Sequence, residues 1–365
     1  MSDASIAFIG LGLIGGSIAR GIKREKPNTK IMAYMRTHSR LLQAKEEGIV
    51  DVILDGIGEA LRECDLIFLC TPVEYNARYL SEIQPFLKPG AIITDVGSTK
   101  ADIHEEVRRL RLEGQFVGGH PMAGSEKTGY ENSTDHLLEN AYYIITPTAA
   151  STEEQVNRLV RIANMIGSIP LVLDYHEHDF ITATISHLPH IIASSLVNLV
   201  KASDNEEGIM KRLAAGGFKD ITRIASSSPE MWEQICMTNS GNLSVILERY
   251  ISSLSQILHE LKGNDNQYIY RLFETSRDYR NSFSEKVPGS IAPDYSFTVD
   301  MADEVGAIST LSVILAAKGI SIKNIGINHN REHGEGTLRI AFYDKETMDS
   351  AWKQLERYHY DLISN

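Results

Sequence analysis

The chain has 365 residues, enough for roughly two or three domains of ordinary size. Hydrophobic residues make up 42% and charged residues 23%, which is ordinary globular usage and excludes a disordered, collagen-like or low-complexity chain. The net charge of −12 argues against sequence-independent nucleic-acid binding and against a polybasic membrane anchor, because both need clustered Lys and Arg.

The same features predict a cytoplasmic protein. We find no apolar run long enough to span a bilayer, and the first residues carry no basic segment of the secretory type. Cys64, Cys70 and Cys236 show neither CxxC nor metal-like spacing, which fits a reducing compartment. We therefore expect no metal, no membrane partner and no nucleic-acid partner.

Short apolar runs alternate with amphipathic stretches over residues 1–173. Several runs lack period-two alternation, as expected for strands that are covered on both faces. Ser151 and Glu154 have the spacing of a capping box before one of the intervening helices. The alternation predicts a dinucleotide-binding domain with an α/β Rossmann-type, doubly wound sheet. The runs lie at 6–9, 31–34, 66–69, 91–93, 116–117, 143–145 and 169–173.

Residues 174–286 have helical periodicity instead. Asp174 with Glu177 forms a second capping-box pattern, and Ser228-Pro229 is a typical helix start. We see no strand of comparable quality here and predict an all-α domain. Apolar residues recur at three- and four-residue spacing over 176–200, 205–215, 229–260 and 264–285.

A Pro- and Gly-containing linker at 287–294 precedes a third pattern at 295–365. Tyr295, Phe297 and Val299 alternate with polar residues, and a helix follows that Gly319 ends. Further strands are predicted around 320–327, 338–342 and 360–362, with a second helix before the last. The order βαββαβ predicts a ferredoxin-like module.

A GxGxxG turn joins the first predicted strand to the first helix. Gly10 allows the tight turn, Gly12 lets the backbone approach a pyrophosphate, and Gly15 lets helix and strand pack closely. Leu13 and Ile14 open the helix, whose N-terminal N–H groups bind phosphate. The motif predicts a dinucleotide cofactor.

The choice between NAD and NADP stays open. An acidic residue about 20 positions after the glycines would bind the ribose of NAD, but Arg36 occupies this region. Arg36 either contacts a 2′-phosphate, lies flat against adenine, or is a solvated arginine at the strand end.

Four strings carry a family resemblance: DVGSTK at 95–100, GGHPMAGSE at 118–126, SHLPH at 186–190 and GGFKDITRIA at 216–225. Together they resemble the prephenate/arogenate dehydrogenase family of tyrosine biosynthesis, over nearly all of residues 1–285. The C-terminal module resembles an ACT domain, a small regulatory fold that commonly binds amino acids. The resemblance implies NAD as cofactor, with NADP as the alternative. It also implies a homodimer in which the helical domain interlocks with the same domain of the second subunit.

The implied reaction oxidises the ring C4 hydroxyl of prephenate, passes hydride to the nicotinamide and releases the ring carboxylate as CO2. The product is 4-hydroxyphenylpyruvate. By resemblance, His120 is the base, a role suited to a side chain that titrates near neutral pH; a structural loop histidine is the alternative. Ser98 matches a serine near the nicotinamide, or it caps the following helix. Thr71 and Pro72 are assigned to the cofactor site.

The resemblance also implies the substrate-binding residues. Arg223 matches an arginine whose planar fork binds a substrate carboxylate; an ion pair, for example with Asp220, is the alternative. His190 is implied at the substrate side chain. Lys219 and Asp220 are expected to shape the site, and Ser125 is assigned to substrate binding.

Three further positions keep two interpretations each. Glu126 lies at the site entrance, or forms a salt bridge with Lys127 or Arg223. Trp232 reaches the neighbouring subunit's site, or is a core tryptophan. His187 shares a helix face with His190, a spacing that could suggest a metal pair, but no further ligand completes such a site. The alternative for His187 is a histidine of the core. The stretch His176-Glu177-His178-Asp179 is interpreted as acids in the first turn of a helix.

An ACT module implies feedback by L-tyrosine; an assembly module without a ligand is the alternative. Competing functions are arogenate dehydrogenase, another hydroxyacid dehydrogenase on the same scaffold, or a non-catalytic amino-acid sensor. Because His190 lies near no clear carboxylate that would bind an ammonium, prephenate is favoured over arogenate. The expected effector residues are Asp303, Glu304, Val305, Gly306, Ala307, Asn324 and Ile325.

Overall fold

The computed structural model describes residues 5–123, 127–283, 295–301, 304, 306–329 and 336–364. The chain divides into two compact units, residues 1–285 and 286–365. Ser125, Glu126, Asp303 and Val305, all expected in binding sites, lie outside the described residues.

The eight strands described in the first unit form two sheets, one of five strands and one of three. The first five pair in parallel in the order β3-β2-β1-β4-β5. β6 pairs antiparallel with β7 and β7 pairs parallel with β8, while a parallel bridge from Ile93 to Phe116 joins the two sheets. This is the predicted doubly wound sheet, with one short strand, β3, that was not predicted. The strands are β1 (Ser5–Ile9), β2 (Lys30–Tyr34), β3 (Val52–Ile53), β4 (Leu66–Leu69), β5 (Ile92–Asp95), β6 (Val117–Pro121), β7 (Tyr142–Pro147) and β8 (Ile169–Val172).

Apolar layers cover both faces of the parallel strands. In β1, Phe8 packs into one layer and stacks on Phe68 at 4.9 Å between ring centroids, whereas Ala7 and Ile9 pack into the other. Burial on both faces explains why these strands lack alternation. The surrounding helices are α1 (Leu13–Glu25), α2 (His38–Glu46), α3 (Val73–Ile83), α4 (Ala101–Arg109) and α5 (Glu153–Met165).

The capping box of α5 lies one residue later than predicted. The Thr152 side chain accepts the Gln155 N–H, and Gln155 Oε1 accepts the Thr152 N–H. The Ser151 hydroxyl donates instead to the carbonyl of Phe116 at 3.0 Å. The predicted Ser151–Glu154 box is therefore wrong, because a tertiary contact takes up the serine hydroxyl.

No strand occurs among the described residues after 173 in the first unit. Asp174 caps α6 and Ser228 caps α10, as predicted. The helix predicted over 229–260 is interrupted at Asn239, whose side-chain amide donates to the carbonyl of Asp179 at 2.7 Å. The boundary predicted at 173/174 falls between β8 and α6, and this division remains a prediction. The helices are α6 (Tyr175–Thr182), α7 (Leu188–Ser203), α8 (Ile209–Leu213), α9 (Gly216–Thr222), α10 (Pro229–Thr238), α11 (Ser240–Gly263) and α12 (Asn266–Ser282).

A single π turn over Ala183–His187 joins α6 to α7 in one helical stretch, Tyr175–Ser203. By length and composition alone this stretch could cross a membrane, with a mean hydropathy of 1.4 in its apolar window. The expectation that the chain has no such segment is therefore corrected. Length and composition do not separate a span from a core helix, and this stretch buries His178, Asp179 and His187.

The second unit has the element order βαββαβ around one antiparallel sheet, β10-β11-β9-β12. Gly319 has a φ of +68° after α13, as expected for the residue that ends a helix. The second strand starts at Asn324, so Ile320 and Ile322 precede it and pack on the core as loop residues, contrary to the prediction. The elements are β9 (Tyr295–Met301), α13 (Ala307–Ala316), β10 (Asn324–His329), β11 (Gly336–Phe342), α14 (Lys345–Arg357) and β12 (Asp361–Ser364).

Candidate active site

The expected cofactor and catalytic residues follow the carboxyl ends of neighbouring strands. Gly10 follows β1, Thr71 comes after β4, Ser98 comes after β5, and His120 lies near the end of β6. Because the carboxyl ends of parallel strands share one edge of the sheet, these residues come together. Strand order reverses between β1 and β4, which is where doubly wound sheets bind dinucleotides.

The three glycines of the turn have different surroundings. Gly10 has a φ of +91°, and a Cβ there would lie 2.7 Å from the Cys70 carbonyl oxygen. A Cβ on Gly15 would lie 2.7 Å from the carbonyl oxygen of Gly10. A Cβ on Gly12 would meet no atom within 4 Å, so this backbone faces open space. Of the three glycines, only Gly12 therefore has room for a ligand beside its backbone.

The start of α1 suits a phosphate group. The helix begins at Leu13, its N-cap Gly12 provides no side-chain cap, and its first turn holds no acidic residue. Its first N–H groups, those of Leu13 and Ile14 among them, have no partner within the helix. Together with the helix dipole they favour an anion such as the cofactor pyrophosphate.

Arg36 and Tyr75 lie after neighbouring parts of the sheet, Arg36 after β2 and Tyr75 in α3, which follows β4. Arg36 is exposed after β2, and its guanidinium carbon lies 5.1 Å from the centroid of the Tyr75 ring. The Thr71 hydroxyl donates to Asn76 Oδ1 at 2.8 Å. Asn76 is buried, yet its Nδ2 has no hydrogen-bond partner among the described residues. Sequence reasoning missed both Tyr75 and Asn76, and Pro72, beside them, is exposed.

A buried ion pair joins the loop that carries Ser98 to the strand that carries His120. Asp95 and Lys100 are both 0% exposed and contact each other through Oδ2 and Nζ. Asp95 also accepts the N–H groups of Gly97 at 2.9 Å and Gly119 at 3.2 Å. Removing one partner of such a pair typically costs about 3–5 kcal/mol.

Ser98 does not cap the following helix. α4 begins at Ala101, and the carboxylate of Asp179 accepts the N–H groups of Lys100 and Ala101, each at 2.8 Å. The capping alternative for Ser98 is therefore wrong, because a carboxylate from α6 occupies the helix end. The half-buried Ser98 lies in the loop directly before it.

His120 begins a chain of three side chains. Its Nδ1 lies 2.8 Å from His178 Nε2, and His178 Nδ1 lies 2.8 Å from Asp179 Oδ1. An ionised carboxylate only accepts, so His178 donates from Nδ1 and, when neutral, accepts at Nε2. His120 therefore donates from Nδ1, which leaves Nε2 as an acceptor. The arrangement makes His120 Nε2 a base.

The surroundings of His120 keep it uncharged. Burial lowers the pKa of His120 well below its usual range, and the nearby His178, Lys100 and His187 lower it further. For Asp179, burial raises the pKa, but hydrogen bonds from His178 and from the backbone of α4 bring it below its usual value. A neutral base and an ionised carboxylate thus coexist at neutral pH.

The helical part contributes stacked aromatic rings. His190 stacks on Trp232 at 3.5 Å between centroids, and His187 meets the same indole edge-on at 6.0 Å. Trp232 contacts both rings within its own chain, and its buried Nε1 has no hydrogen-bond partner among the described residues. Burial lowers the pKa of His187 to about 4 and also lowers that of His190, on which Arg223 acts in the same direction.

The remaining expected residues fall into two groups. Lys219 on α9 and Arg223, four residues later, are exposed. In the second unit, Gly306 has a φ of +89° before α13, Ala307 begins that helix, and Glu304 and Asn324 are exposed while Ile325 is half-buried. In the described part of the chain, no group of three or more His, Cys, Asp or Glu side chains could hold a metal ion.

His178 and Asp179 were not predicted as site residues. The interpretation of residues 176–179 as first-turn acids is wrong for Asp179, which binds another helix rather than its own. The available signal was polarity: a His-Asp pair inside an apolar helical stretch is costly to bury unless it is hydrogen-bonded.

Comparison with known proteins gives one family. Residues 18–169 match the family model "Prephenate dehydrogenase, nucleotide-binding domain", and residues 174–275 match "Prephenate dehydrogenase, dimerization domain". The chain is 38% identical to the prephenate dehydrogenase of Bacillus subtilis, over 96% of this chain and 95% of that protein.

Two solved structures are also similar. The prephenate dehydrogenase of A. aeolicus, in complex with hydroxyphenyl propionate and NAD+, matches with a TM-score of 0.72 and 29% identity, over 77% of this chain and 99% of that one. Synechocystis arogenate dehydrogenase matches with a TM-score of 0.69 and 30% identity, over 76% and 99%.

The glycine turn can be tested with two alanine variants. We expect Gly12→Ala to keep the free energy of unfolding within about 1 kcal/mol of wild type, because its Cβ meets open space. Its NAD affinity should fall at least about tenfold, measured by calorimetry, because the Cβ fills the approach to the pyrophosphate. Gly15→Ala should instead lose about 1–3 kcal/mol of stability by overpacking. Wild-type NAD binding by Gly12→Ala would contradict this assignment.

Proposed function

The chain belongs to the prephenate dehydrogenase family and is an NAD-dependent oxidoreductase, and we propose that its crevice catalyses the oxidative decarboxylation of prephenate to 4-hydroxyphenylpyruvate. The observation that carries this proposal is the acceptor at His120 Nε2, held by the hydrogen-bond chain to Asp179 beside the dinucleotide crevice. Oxidation of an alcohol needs such a neutral base at the hydroxyl.

The side chains divide the work of the reaction. His120 Nε2 takes the proton of the C4 hydroxyl, and Ser98 holds that hydroxyl in line. Gly12 and the start of α1 would hold NAD, which would supply the acceptor for the hydride of C4. The bond from the ring to its carboxylate then breaks and CO2 leaves. The electron pair of that bond moves through the ring to the C4 oxygen, which takes the proton back from His120 as the ring becomes an aromatic phenol. The buried Asp95–Lys100 pair keeps the loop of Ser98 and the strand of His120 in register.

The substrate side chain is proposed to lie against the helical part of the site. Arg223 binds a carboxylate through its planar fork, with Lys219 near it and Ser125 and Glu126 at the entrance. His190 and Trp232 form an aromatic wall for the pyruvyl group. The charged group identified beside His190 is the guanidinium of Arg223, which favours a keto acid over the ammonium of arogenate.

The central prediction concerns His120. We expect His120→Asn to lower kcat roughly 10²–10⁴-fold, because the amide cannot accept a proton, while NAD binding is kept. The assay follows NAD reduction with prephenate, in parallel with arogenate. His136→Asn, in an exposed histidine outside the site, is the matched control and should behave as wild type.

Full turnover by His120→Asn would contradict the assignment of the base. Turnover of arogenate alone by the wild-type chain would reassign the substrate, and no turnover of either would favour a non-catalytic sensor.

We further propose that Arg36 lies flat on the adenine rather than on a 2′-phosphate, because it already stacks on Tyr75. Arg36→Ala should then raise KM for NAD and NADP alike by about two- to fivefold, the value of an exposed cation–π contact. The ratio of kcat/KM for the two cofactors should stay constant. A selective loss of NADP activity would instead place Arg36 at a 2′-phosphate.

A homodimer is proposed from the exposed apolar side chains of the helical part, and a cytoplasmic location from the three free cysteines. Leu199, Ile251, Leu258 and Phe273 are 61%, 53%, 52% and 68% exposed in the single chain. Exposed apolar area of this extent typically marks an interaction surface. A second copy would cover it, in line with the description of the family model that matches residues 174–275.

The second unit is proposed to be an ACT domain that binds L-tyrosine, with an assembly role as the alternative. Its βαββαβ order and its sheet order β10-β11-β9-β12 support the fold assignment. The glycine turn at Gly306, φ +89°, precedes a helix start that can bind an amino acid's carboxylate. The proposed effector site comprises Asp303, Glu304, Val305, Gly306, Ala307, Asn324 and Ile325.

Saturating L-tyrosine should therefore inhibit NAD reduction and raise the melting temperature, since a ligand at 100 times its Kd adds about 2.7 kcal/mol of stability. Asn324→Ala should weaken both effects without changing basal activity, whereas Ser350→Ala, in an exposed residue of α14, should not. If tyrosine changes neither activity nor melting temperature, the regulatory role is wrong.

A further inference from the structure

We propose that His178 receives the proton that His120 removes from the substrate, so that the base is a relay of two histidines and not one. The proposal rests on the proposed function. It starts from two distances: 2.8 Å from His120 Nδ1 to His178 Nε2, and 2.8 Å from His178 Nδ1 to Asp179 Oδ1. Both are short enough for a proton to move along the chain without rearrangement.

The relay moves one proton across each of two hydrogen bonds. The C4 O–H bond breaks, and its proton bonds to His120 Nε2. The proton already on His120 Nδ1 moves to His178 Nε2, which held a lone pair. His120 ends neutral in its other tautomer, and His178 ends as an imidazolium with both nitrogens protonated. The hydride that leaves C4 for the nicotinamide carries both electrons lost by the alcohol, and C4 becomes a ketone. When CO2 leaves, the electron pair of the broken bond reaches the C4 oxygen, which takes a proton back from His120 Nε2, and the proton on His178 returns to His120 Nδ1.

The surroundings of the pair disfavour a proton that stays on His120 as a second charge. A cation on His120 would lie near Lys100, His178 and His187, which all disfavour it. A cation on His178 lies against the ionised carboxylate of Asp179 instead. Lys100 and His187 act on His120, whereas Asp102 and His104 of α4 act on Asp179. Asp95 of β5 contacts Lys100.

Asp179, at the end of the hydrogen-bond chain, is held by other hydrogen bonds and does not move with the proton. Asp179 Oδ1 accepts from Lys100 N as well as from His178, and Oδ2 accepts from Ala101 N. Its own carbonyl accepts from Asn239 at the start of α11. His178 and Asp179 are about 1% exposed, so bulk water does not compete for the proton at this position.

The test compares His178→Gln with His176→Gln, an exposed histidine two residues away on the same helix. A glutamine can accept from His120 Nδ1 and donate to Asp179, so it keeps the hydrogen-bond chain but cannot store a proton. We expect His178→Gln to slow single-turnover NAD reduction about ten- to hundredfold, with KM changed less than about threefold and an unchanged melting temperature. His176→Gln should match wild type.

The single-turnover rate of NAD reduction is also measured in mixtures of H2O and D2O. If two protons move in the step that sets this rate, a plot of the rate against the deuterium fraction is curved. If one proton moves, the plot is a straight line. The relay predicts a curve for wild type and a line for His178→Gln. A line for wild type, a curve for His178→Gln, or a wild-type rate in that variant would each overturn it. The wild-type measurement decides even if the variant does not fold. Failure of the proposed function shows differently, as no NAD reduction at all, and would remove the relay with it.

Discussion

The carboxylate of Asp179 binds three N–H groups that belong to two different parts of the chain. Two come from the start of α4, Lys100 and Ala101, and the third is Nδ1 of His178. One buried side chain thereby attaches the helical part of the first unit to the dinucleotide-binding sheet and sets the orientation of the base. The position of α4 and the tautomer of His120 are therefore coupled, because both depend on the same two oxygens.

A second buried carboxylate, that of Asp95, offsets the charge of Lys100 near the base. Lys100 lies fully buried near His120, and an unpaired ammonium there would be too costly to bury, so Asp95 neutralises it. The same Asp95 holds Gly97 and Gly119, on either side of the crevice. The site thus has two buried carboxylates with different roles. Asp95 neutralises Lys100 and holds the backbone, whereas Asp179 contacts the His178 imidazole and fixes its tautomer.

Much of the fold follows from local features of the sequence. The glycine turn, the caps at Asp174 and Ser228, and the apolar runs were predictable because each depends on neighbours within one turn or one strand. The errors occur where a distant partner intervenes. Ser151 bonds to the backbone before β6, which moves the helix cap to Thr152. Asn239 bonds to α6, which interrupts the predicted long helix.

The sequence by itself determined the dinucleotide turn and the chemical types available to the site, His120 and Ser98 among them. It did not identify the partners of His120, because His178 is 58 residues away and lies in a helical stretch that resembles an apolar core segment. Local periodicity reports which face of a helix is apolar, but not which side chain on another element it meets. Only the packing of α6 against α4 and β6 decided that a histidine and an aspartate complete the base.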